Sequence, residues 1–204
     1  MKKIFKKLKN STSIDKFAKN YLDYLIHLYS QLDLKIFKKF EIEFEEIKNT
    51  NSRMFIIGNG GGASTAITMV NDLGFDILKK TKTKKHFKMK SLVDNSVIIT
   101  AISNDTSFEE VFVNQLKLYF KKGDKLLIFT ASGNSNNLIK AAEFVKKNNG
   151  KVLSVVGFDG GEIKKISDHC LHIQTNTGEY GPVEDIQLTF NHILAHWFQI
   201  KLNK

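Results

Sequence analysis

Residues 58–64 read Gly58-Asn59-Gly60-Gly61-Gly62-Ala63-Ser64, and this glycine-rich segment carries most of the information about the fold. It follows an apolar run at 54–57 and precedes a helix-like stretch that extends to Leu78. Glycines let the backbone approach a ligand closely, and the free N–H groups of a first helical turn attract an anion. The segment is neither a P-loop nor a complete G-x-G-x-x-G pattern, because Ser64 stands in place of the third glycine. By itself it indicates either a phosphate site or a tight structural turn.

A second turn of the same design follows the apolar run at 125–129. It reads Thr130-Ala131-Ser132-Gly133-Asn134-Ser135 and is followed by a helix predicted from Asn136. Ser135 suits the N-cap of that helix, but three hydroxyl groups are more than one cap requires. The hydroxyls of Thr130, Ser132 and Ser135 can each donate a hydrogen bond to a phosphate oxygen. The two turns together predict a phosphorylated small molecule as the ligand.

The composition is that of a globular protein. The 204 residues are 42% hydrophobic and 25% charged, which suits one domain with a large core. No apolar run is long enough to span a membrane, so we expect no membrane partner. The single cysteine, Cys170, excludes an internal disulfide and fits a cytoplasmic location. Residues 1–9 are basic but lack the apolar core and cleavage site of a signal peptide.

The net charge of +10 comes mainly from lysines spread along the chain, with local groups at 2–9, 79–90 and 121–125. We interpret these groups as solvated surface, which can also attract an anionic substrate. The sequence has no zinc-finger spacing and no RNA-binding aromatic motif, so nucleic acid is not an expected partner.

Apolar residues at three- and four-residue spacing predict two long helices over 13–48, or one helix broken near 31–33. Strands and helices alternate in the rest of the chain. Strands are predicted at 53–57, 87–92, 125–129, 151–156 and 169–173, and helices at 64–78, 107–121, 136–148, 160–166 and 183–201, while 97–103 stays ambiguous. This order predicts an α/β fold in which a doubly wound parallel sheet has helices on both faces and follows an N-terminal helical pair. Ligands of such sheets bind at the carboxyl ends of the strands, where both glycine turns fall.

In the order of its motifs the chain resembles the sugar isomerase (SIS) domain family, and within it the phosphoheptose isomerases. The motifs that carry the resemblance are 58–61, Ser103-Asn104-Asp105 with 108–112, and Ser132-Gly133-Asn134-Ser135, supported by 157–161 and the helix over 183–194. The resemblance implies one SIS domain over 1–204, with residues 1–50 as a helical extension that takes part in oligomerisation. It also implies a homotetramer, and we expect Phe37, Phe40, Phe44 and Trp197 to contact other subunits.

The resemblance further implies an aldose–ketose isomerase that converts sedoheptulose 7-phosphate to D-glycero-D-manno-heptose 7-phosphate for a surface glycan such as lipopolysaccharide or capsule. A sugar phosphate would then contact both turns and the Ser-Asn-Asp motif. The implied substrate-binding residues are Asn59, Gly60, Gly61, Ser64, Asn104, Asp105, Thr130, Ser132, Asn134 and Ser135.

The resemblance also marks the catalytic positions. Members of the family use a glutamate and a histidine for proton transfer and often hold zinc between His, Glu, Gln and His. This chain has Thr68 at the first histidine, Asp72 at the glutamate and Glu184 at the glutamine, and it retains His192. Isomerisation needs a base that moves a proton between neighbouring carbons and an acid that protonates oxygen. We therefore expect Asp72 as the base, His192 as the acid and Glu184 as a group that tunes His192.

Simpler interpretations stay open for each of these residues. Asp72 can be a solvated carboxylate, His192 a core histidine, and Glu184 a carboxylate that complements the helix dipole. A divalent metal such as zinc is compatible with the chain, but no ligand is assigned, since Glu184 and His192 are eight residues or about 12 Å apart on a helix. The departures at Thr68, Asp72 and Glu184 favour the alternative function, a non-catalytic SIS protein that binds or senses a phosphosugar.

Overall fold

The core of the molecule is one sheet of parallel strands. The computed structural model of the protein describes residues 8–203. Its strands are β1 (Met54–Gly58), β2 (Met89–Ser91), β3 (Lys125–Thr130), β4 (Lys151–Val156) and β5 (His169–His172). They lie in the order β2-β1-β3-β4-β5, and every pair is parallel. The strand order reverses between β1 and β3, the switch point at which open α/β sheets bind ligands.

Helices cover both faces of this sheet. They are α1 (Ile14–Ser30), α2 (Ile36–Asn49), α3 (Gly61–Val70), α4 (Asp76–Lys80), α5 (Ser96–Asp105), α6 (Val111–Tyr119), α7 (Asn136–Lys147), α8 (Gly161–Ile166) and α9 (Tyr180–Lys201). A π-helical segment, Asn71–Phe75, joins α3 to α4, and a short 3₁₀ turn, Phe108–Glu110, precedes α6. No helix within residues 8–203 is long and apolar enough to cross a membrane.

The side chains of each strand alternate between two hydrophobic cores. Met54 and Ile56 of β1 face the core that α1, α2, α3 and α9 close, whereas Phe55 and Ile57 face the core that α6, α7 and α8 close. Neighbouring residues of a strand point to opposite faces, so a strand buried on both sides is apolar throughout. The predicted doubly wound α/β fold is confirmed.

The N-terminal helical pair is α1 and α2, separated near the predicted break. Phe40 and Phe44 of α2 are fully buried and pack against Phe190 and Phe198 of α9. Our expectation that these two rings contact other subunits is therefore wrong, because the hydrophobic core of the chain itself encloses them. Trp197 is 45% exposed and stays available for such a contact.

Several helices begin at residues other than the predicted ones, because local backbone and capping interactions set where each helix starts. The helix after the first turn begins at Gly61 and not at residue 64, because glycines are tolerated in a first turn where few intrahelical bonds exist. The ambiguous segment 97–103 belongs to α5, which the Asn95 side chain caps by accepting from the N–H groups of Val97 and Ile98. Ser107 caps no α-helix, since a 3₁₀ turn follows it.

Two further boundaries differ from the prediction. The last helix begins at Tyr180, three residues before the predicted start at Val183, and takes in Pro182 within its first turn. The basic segment 1–9 lies almost wholly outside the described residues.

Candidate functional site

The two glycine turns lie side by side at the carboxyl edge of the sheet. Gly58, the last residue of β1, is in register with Phe129 of β3, so the turns leave adjacent strands. The amides of Asn59 and Asn137 donate to each other, with both N···O distances at 3.0 Å. This reciprocal pair ties the first turn to the first turn of α7. The predicted convergence of the two turns is therefore present, while the Asn59 side chain is committed to a structural contact.

The first turn meets a carboxylate of the chain itself. A Cβ atom on Gly61 would lie 2.2 Å from the carboxyl carbon of Glu184, so only glycine leaves room for that carboxylate. Glu184 thereby faces the start of α3, where the positive end of the helix dipole favours a negative charge. Gly60 has a φ of +54°, which the turn requires of a glycine, and Ser64 is exposed on the first turn of α3.

The second turn is held by its own polar groups. The Thr130 hydroxyl accepts from Gly133 N–H at 3.1 Å, and the Ser132 hydroxyl accepts from Asn134 N–H at 3.2 Å. The Asn134 side chain accepts from Glu162 N–H at 3.1 Å, which links the turn to α8. Ser135 occupies the N-cap position of α7, but its side chain makes no capping bond. Its hydroxyl is thus unused where the helix presents free N–H groups.

Asp72 and His192 form a neighbouring pair of titratable groups. Asp72 lies in the π-helical segment after α3, and its Oδ2 is 3.8 Å from His192 Nε2 on α9. The His192 side chain is 50% exposed and that of Asp72 is 17% exposed, so a ligand can reach both. π-Helical turns occur often at functional sites. The predicted pairing of a carboxylate with a histidine is present in the structure.

Glu184 lies apart from this pair. It precedes His192 by eight residues on α9, about 12 Å along the helix axis. The Glu184 carboxylate lies at Gly61, the first residue of α3. Asp72 lies eleven residues after Gly61, in the π-helical segment that continues α3. The direct neighbour of His192 is therefore Asp72, and tuning of His192 by Glu184 stays a prediction.

Sequence reasoning missed two polar residues of this region. Asn191 is fully buried and donates from its amide to Asp72 Oδ2 at 2.6 Å, which orients the carboxylate. The sequence feature that could have revealed Asn191 is its position on the apolar face of α9, which Leu194, Ala195 and Phe198 also form. Tyr21 of α1 donates to Asp185 Oδ2 at 2.5 Å. Burial, the hydrogen bond with Asp185 and the charges of Asp185 and Glu184 raise the pKa of Tyr21.

Asn104 and Asp105 lie at the exposed end of α5. The Asn104 amide donates to Asp105 at 2.9 Å, and no hydrogen bond within residues 8–203 joins either side chain to the two turns. The following segment does reach the start of α7, because Glu109 accepts from the Asn136 side chain at 2.8 Å. Hydrogen bonds from Lys140 to Glu109 and Glu110 raise the pKa of Lys140 to about 12. These acids therefore hold the 3₁₀ turn against α7.

The residues of one chain do not fit a zinc site. No group of three or more His, Cys, Asp or Glu side chains lies close enough to hold a metal within the described part of the chain. Thr68, which stands where the resemblance implies a histidine, donates its hydroxyl to Ser64 C=O at 2.9 Å. We therefore derive no catalytic step through a metal.

Comparison with known proteins identifies the family. The SIS domain family model matches residues 16–157. A phosphoheptose isomerase from Helicobacter pylori is 33% identical over 150 residues, which cover 74% of this chain and 76% of the relative. One from Nitratiruptor sp. is 29% identical over 168 residues, or 82% of this chain and 87% of the relative.

Solved structures agree on the fold. A phosphoheptose isomerase from Neisseria gonorrhoeae superimposes with a TM-score of 0.80 at 18% identity, covering 92% of this chain and all of that one. The sequence matches and the arrangement of the two turns point the same way, and the chain therefore belongs to the SIS domain family and, within it, to the phosphoheptose isomerases, a family of phosphosugar isomerases.

Proposed function

We propose that this chain interconverts a ketose phosphate and an aldose phosphate, with sedoheptulose 7-phosphate and D-glycero-D-manno-heptose 7-phosphate as the pair. The observation that carries the proposal is the Asp72 carboxylate 3.8 Å from the exposed His192 ring, in a member of a phosphosugar isomerase family. A base and an acid at this separation can act on neighbouring atoms of one substrate. The product would enter a cytoplasmic route to a surface glycan such as lipopolysaccharide or capsule.

The second turn is the better cradle for the phosphate. Glu184 already faces the N-terminus of α3, and a second anion there would meet its charge. At the N-terminus of α7 the neighbouring carboxylate of Glu109 accepts from Asn136 and is balanced by Lys140, and the Ser135 hydroxyl makes no capping bond. A helix N-terminus with hydroxyl donors binds phosphate readily. We assign the phosphate to Ser132 and Ser135, with Ser64 and the backbone of Gly60 and Gly61 at its border, while the buried Thr130 hydroxyl holds the turn.

The proposed chemistry is a proton transfer through an enediol. Asp72 removes the proton from the carbon next to the carbonyl, and the electrons of that C–H bond form the C=C bond. His192 protonates the carbonyl oxygen, so the intermediate is neutral at that oxygen. Asp72 returns its proton to the former carbonyl carbon while His192 takes the proton of the other hydroxyl, which gives the isomer and restores both groups. Asn191 keeps the accepting oxygen of Asp72 in place.

The distance from the first turn, which borders the phosphate cradle, to the proton-transfer pair supports a site shared between chains. Asp72 lies eleven residues beyond Gly61, about 16 Å along the helix. An extended seven-carbon sugar phosphate spans about 9 Å from C2 to phosphorus, since seven bonds each add roughly 1.3 Å of projected length. This span is shorter than the separation along the helix between the first turn and Asp72. We therefore propose that another subunit of the homotetramer supplies Asp72 and His192.

The alternative function is a SIS protein that binds a phosphosugar without changing it. Its specific support is the Thr68 hydroxyl, which is bonded to the backbone at a position where a ligand histidine is implied. In this case the phosphate cradle binds the sugar phosphate, and Asp72 and His192 transfer no proton. The two functions differ in one measurable property, the exchange of a carbon-bound proton.

Isotope exchange tests the proposal. The protein is incubated with sedoheptulose 7-phosphate in D₂O, and NMR follows deuterium at the carbon next to the carbonyl. We expect incorporation by wild type and a fall of about 10²–10⁴-fold with Asp72→Asn, which keeps the size of the side chain but removes the base. Glu143→Gln is the matched control, since Glu143 is an exposed acid on α7. Binding of the sugar phosphate without exchange by wild type would replace the isomerase with the binding protein.

A further inference from the structure

Two lysine groups that lie far apart in the sequence meet at one pocket of the fold. The pocket has a volume of about 370 Å³ and is lined by Asn51, Ser52, Arg53, Lys88, Lys121, Lys122 and Asp124. All seven residues precede β1, β2 or β3. The pocket therefore lies at the amino edge of the sheet, opposite the glycine turns, and the proposed isomerase site makes no use of it.

Asp124, the only acidic residue among the seven that line this pocket, is already bonded to other groups of the chain. Asp124 is buried, and its carboxylate accepts from the backbone N–H groups of Arg53 at 2.7 Å and Lys121 at 2.9 Å. It also pairs with the Arg53 guanidinium at 3.3 Å. The Asp124–Arg53 pair is neutral as a unit and holds two loops of the pocket together.

Three ammonium groups at the pocket have no balancing carboxylate. Lys121 and Lys122 are exposed, and no acid within residues 8–203 forms an ion pair with either. The Lys88 ammonium donates to the neutral carbonyl oxygen of Asn51. Like charges gathered in one concave site focus the field and raise the local concentration of anions.

The frame of the pocket is built before any ligand arrives. Arg53 is the only arginine of the chain, its guanidinium donates to Tyr119 C=O, and it lies 5.2 Å from the centre of the Phe55 ring. Gly123 has a φ of +93°, and a Cβ there would come within 2.8 Å of Ser52 Oγ, so the turn between Lys122 and Asp124 requires glycine. A preorganised frame lowers the entropy cost of binding.

We propose that this amino-edge pocket binds a small anion that carries a diphosphate group. A phosphate monoester has a charge of only about −1.5 to −2 near neutral pH, whereas two linked phosphates match three ammonium groups better. The pocket volume of about 370 Å³ lies in the range of small-ligand sites, and the concave shape favours a small molecule over a nucleic-acid strand. Lysines from two loops would hold the two phosphate groups from opposite sides.

Calorimetry with inorganic pyrophosphate tests the proposal, and ADP is the second probe. We expect the double variant Lys121→Ala, Lys122→Ala to weaken pyrophosphate binding by about 10–100-fold, the scale of one or two lost charge-assisted hydrogen bonds. The control is Lys39→Ala with Lys147→Ala, which changes the net charge equally at two exposed lysines elsewhere. Binding of ADP alone would identify a nucleotide as the diphosphate, and binding of both would identify the diphosphate group itself.

The outcomes that overturn the proposal are distinct from failure of the isomerase site. Absence of binding, or an equal loss in the control variant, would show that the lysines form a diffuse basic surface. Tight binding of a single-stranded oligonucleotide without binding of pyrophosphate would make the surface a nucleic-acid contact. Ser132→Ala with Ser135→Ala should leave pyrophosphate affinity at the amino edge unchanged, whatever it does to the sugar phosphate.

Discussion

At the scale of single residues, the hydroxyl groups of the second turn decide how a phosphate can be held. Thr130 and Ser132 accept hydrogen bonds from backbone N–H groups, and an accepting hydroxyl keeps its own proton for donation. Ser135 is partly exposed at the N-terminus of α7, and its side chain makes no capping bond. Thr130 is buried and braces the turn, whereas Ser132 and Ser135 are partly exposed and can donate to a ligand.

Ser132→Ala combined with Ser135→Ala should weaken binding of sedoheptulose 7-phosphate by about 1–3 kcal/mol, the scale of hydrogen bonds to a charged group. Calorimetry is carried out on proteins that also carry Asp72→Asn. This substitution prevents turnover, so the heat reports binding alone. Ser64→Ala serves for comparison, since Ser64 lies at the border of the cradle and should matter less. An unchanged affinity in the double serine variant would show that the phosphate does not bind at this turn.

At the scale of secondary-structure elements, acidic residues of α2 join the helical pair to the rest of the chain. Glu41 accepts from Trp197 Nε1 and Lys201 Nζ of α9, both at 2.8 Å. Buried Glu43 pairs with buried Lys125 at the start of β3 and with Lys151 of β4 at 2.8 Å. These contacts fix α2 across the amino ends of the central strands and against the helix that bears His192.

The free energy of unfolding should fall at acidic pH, because protonation of the carboxylates weakens these contacts. Burial by itself would raise the pKa of Glu41, but hydrogen bonds from Lys201, Lys38 and Trp197 outweigh it and lower that pKa to about 2. A carboxyl whose pKa is lower in the folded than in the unfolded state stabilises the fold above its unfolded value and loses that effect as pH falls toward its folded value. The window for Glu41 therefore lies between about pH 4.5 and pH 2.

Glu41→Gln should reduce the free energy of unfolding at pH 7 by about 1–2 kcal/mol, allowing for solvent screening, and by much less near pH 2–3. Urea unfolding followed by fluorescence measures this directly, because Trp197 is the only tryptophan and donates to Glu41. Glu143→Gln on α7 should leave the pH dependence of stability unchanged. Equal losses for Glu41→Gln at both pH values would argue against this linkage.

At the scale of the whole molecule, apolar side chains remain exposed on helices of the α1 side of the sheet. Ile14, Leu22 and Ile26 of α1 are each more than half exposed, as is Ile200 of α9. Exposed apolar faces of this kind commonly mark subunit contacts. These faces fit the proposal that sites form between subunits of a homotetramer.

Mixing two impaired variants, at a substrate concentration well below saturation, tests shared sites. One variant carries Ser132→Ala and Ser135→Ala, and the other carries Asp72→Asn. If each site takes its turn from one chain and its base from another, random mixing should restore about a quarter of wild-type activity, because half the pairs are mixed and each has one intact site of two. Light scattering gives the oligomeric state of each sample. A monomer of 23.2 kDa, or no restored activity in a verified mixed oligomer, would contradict shared sites.

The sequence by itself determined the fold class, the order of elements and the two turns at the carboxyl edge of the sheet. These features depend on local patterns, since alternating apolar strands, glycine turns and helical spacing are written in consecutive residues. It also marked Asp72 and His192, which lie 120 residues apart, but only through the resemblance to a family.

Only the tertiary structure decided which residues meet. It placed Glu184 against Gly61 and not beside His192, enclosed Phe40 and Phe44, and brought the buried Asn191 to Asp72. It also gathered Lys88, Lys121 and Lys122 around one pocket. No local pattern encodes these contacts, because they depend on how helices cross the sheet and on which strands become neighbours, and both are set by burial of the whole core.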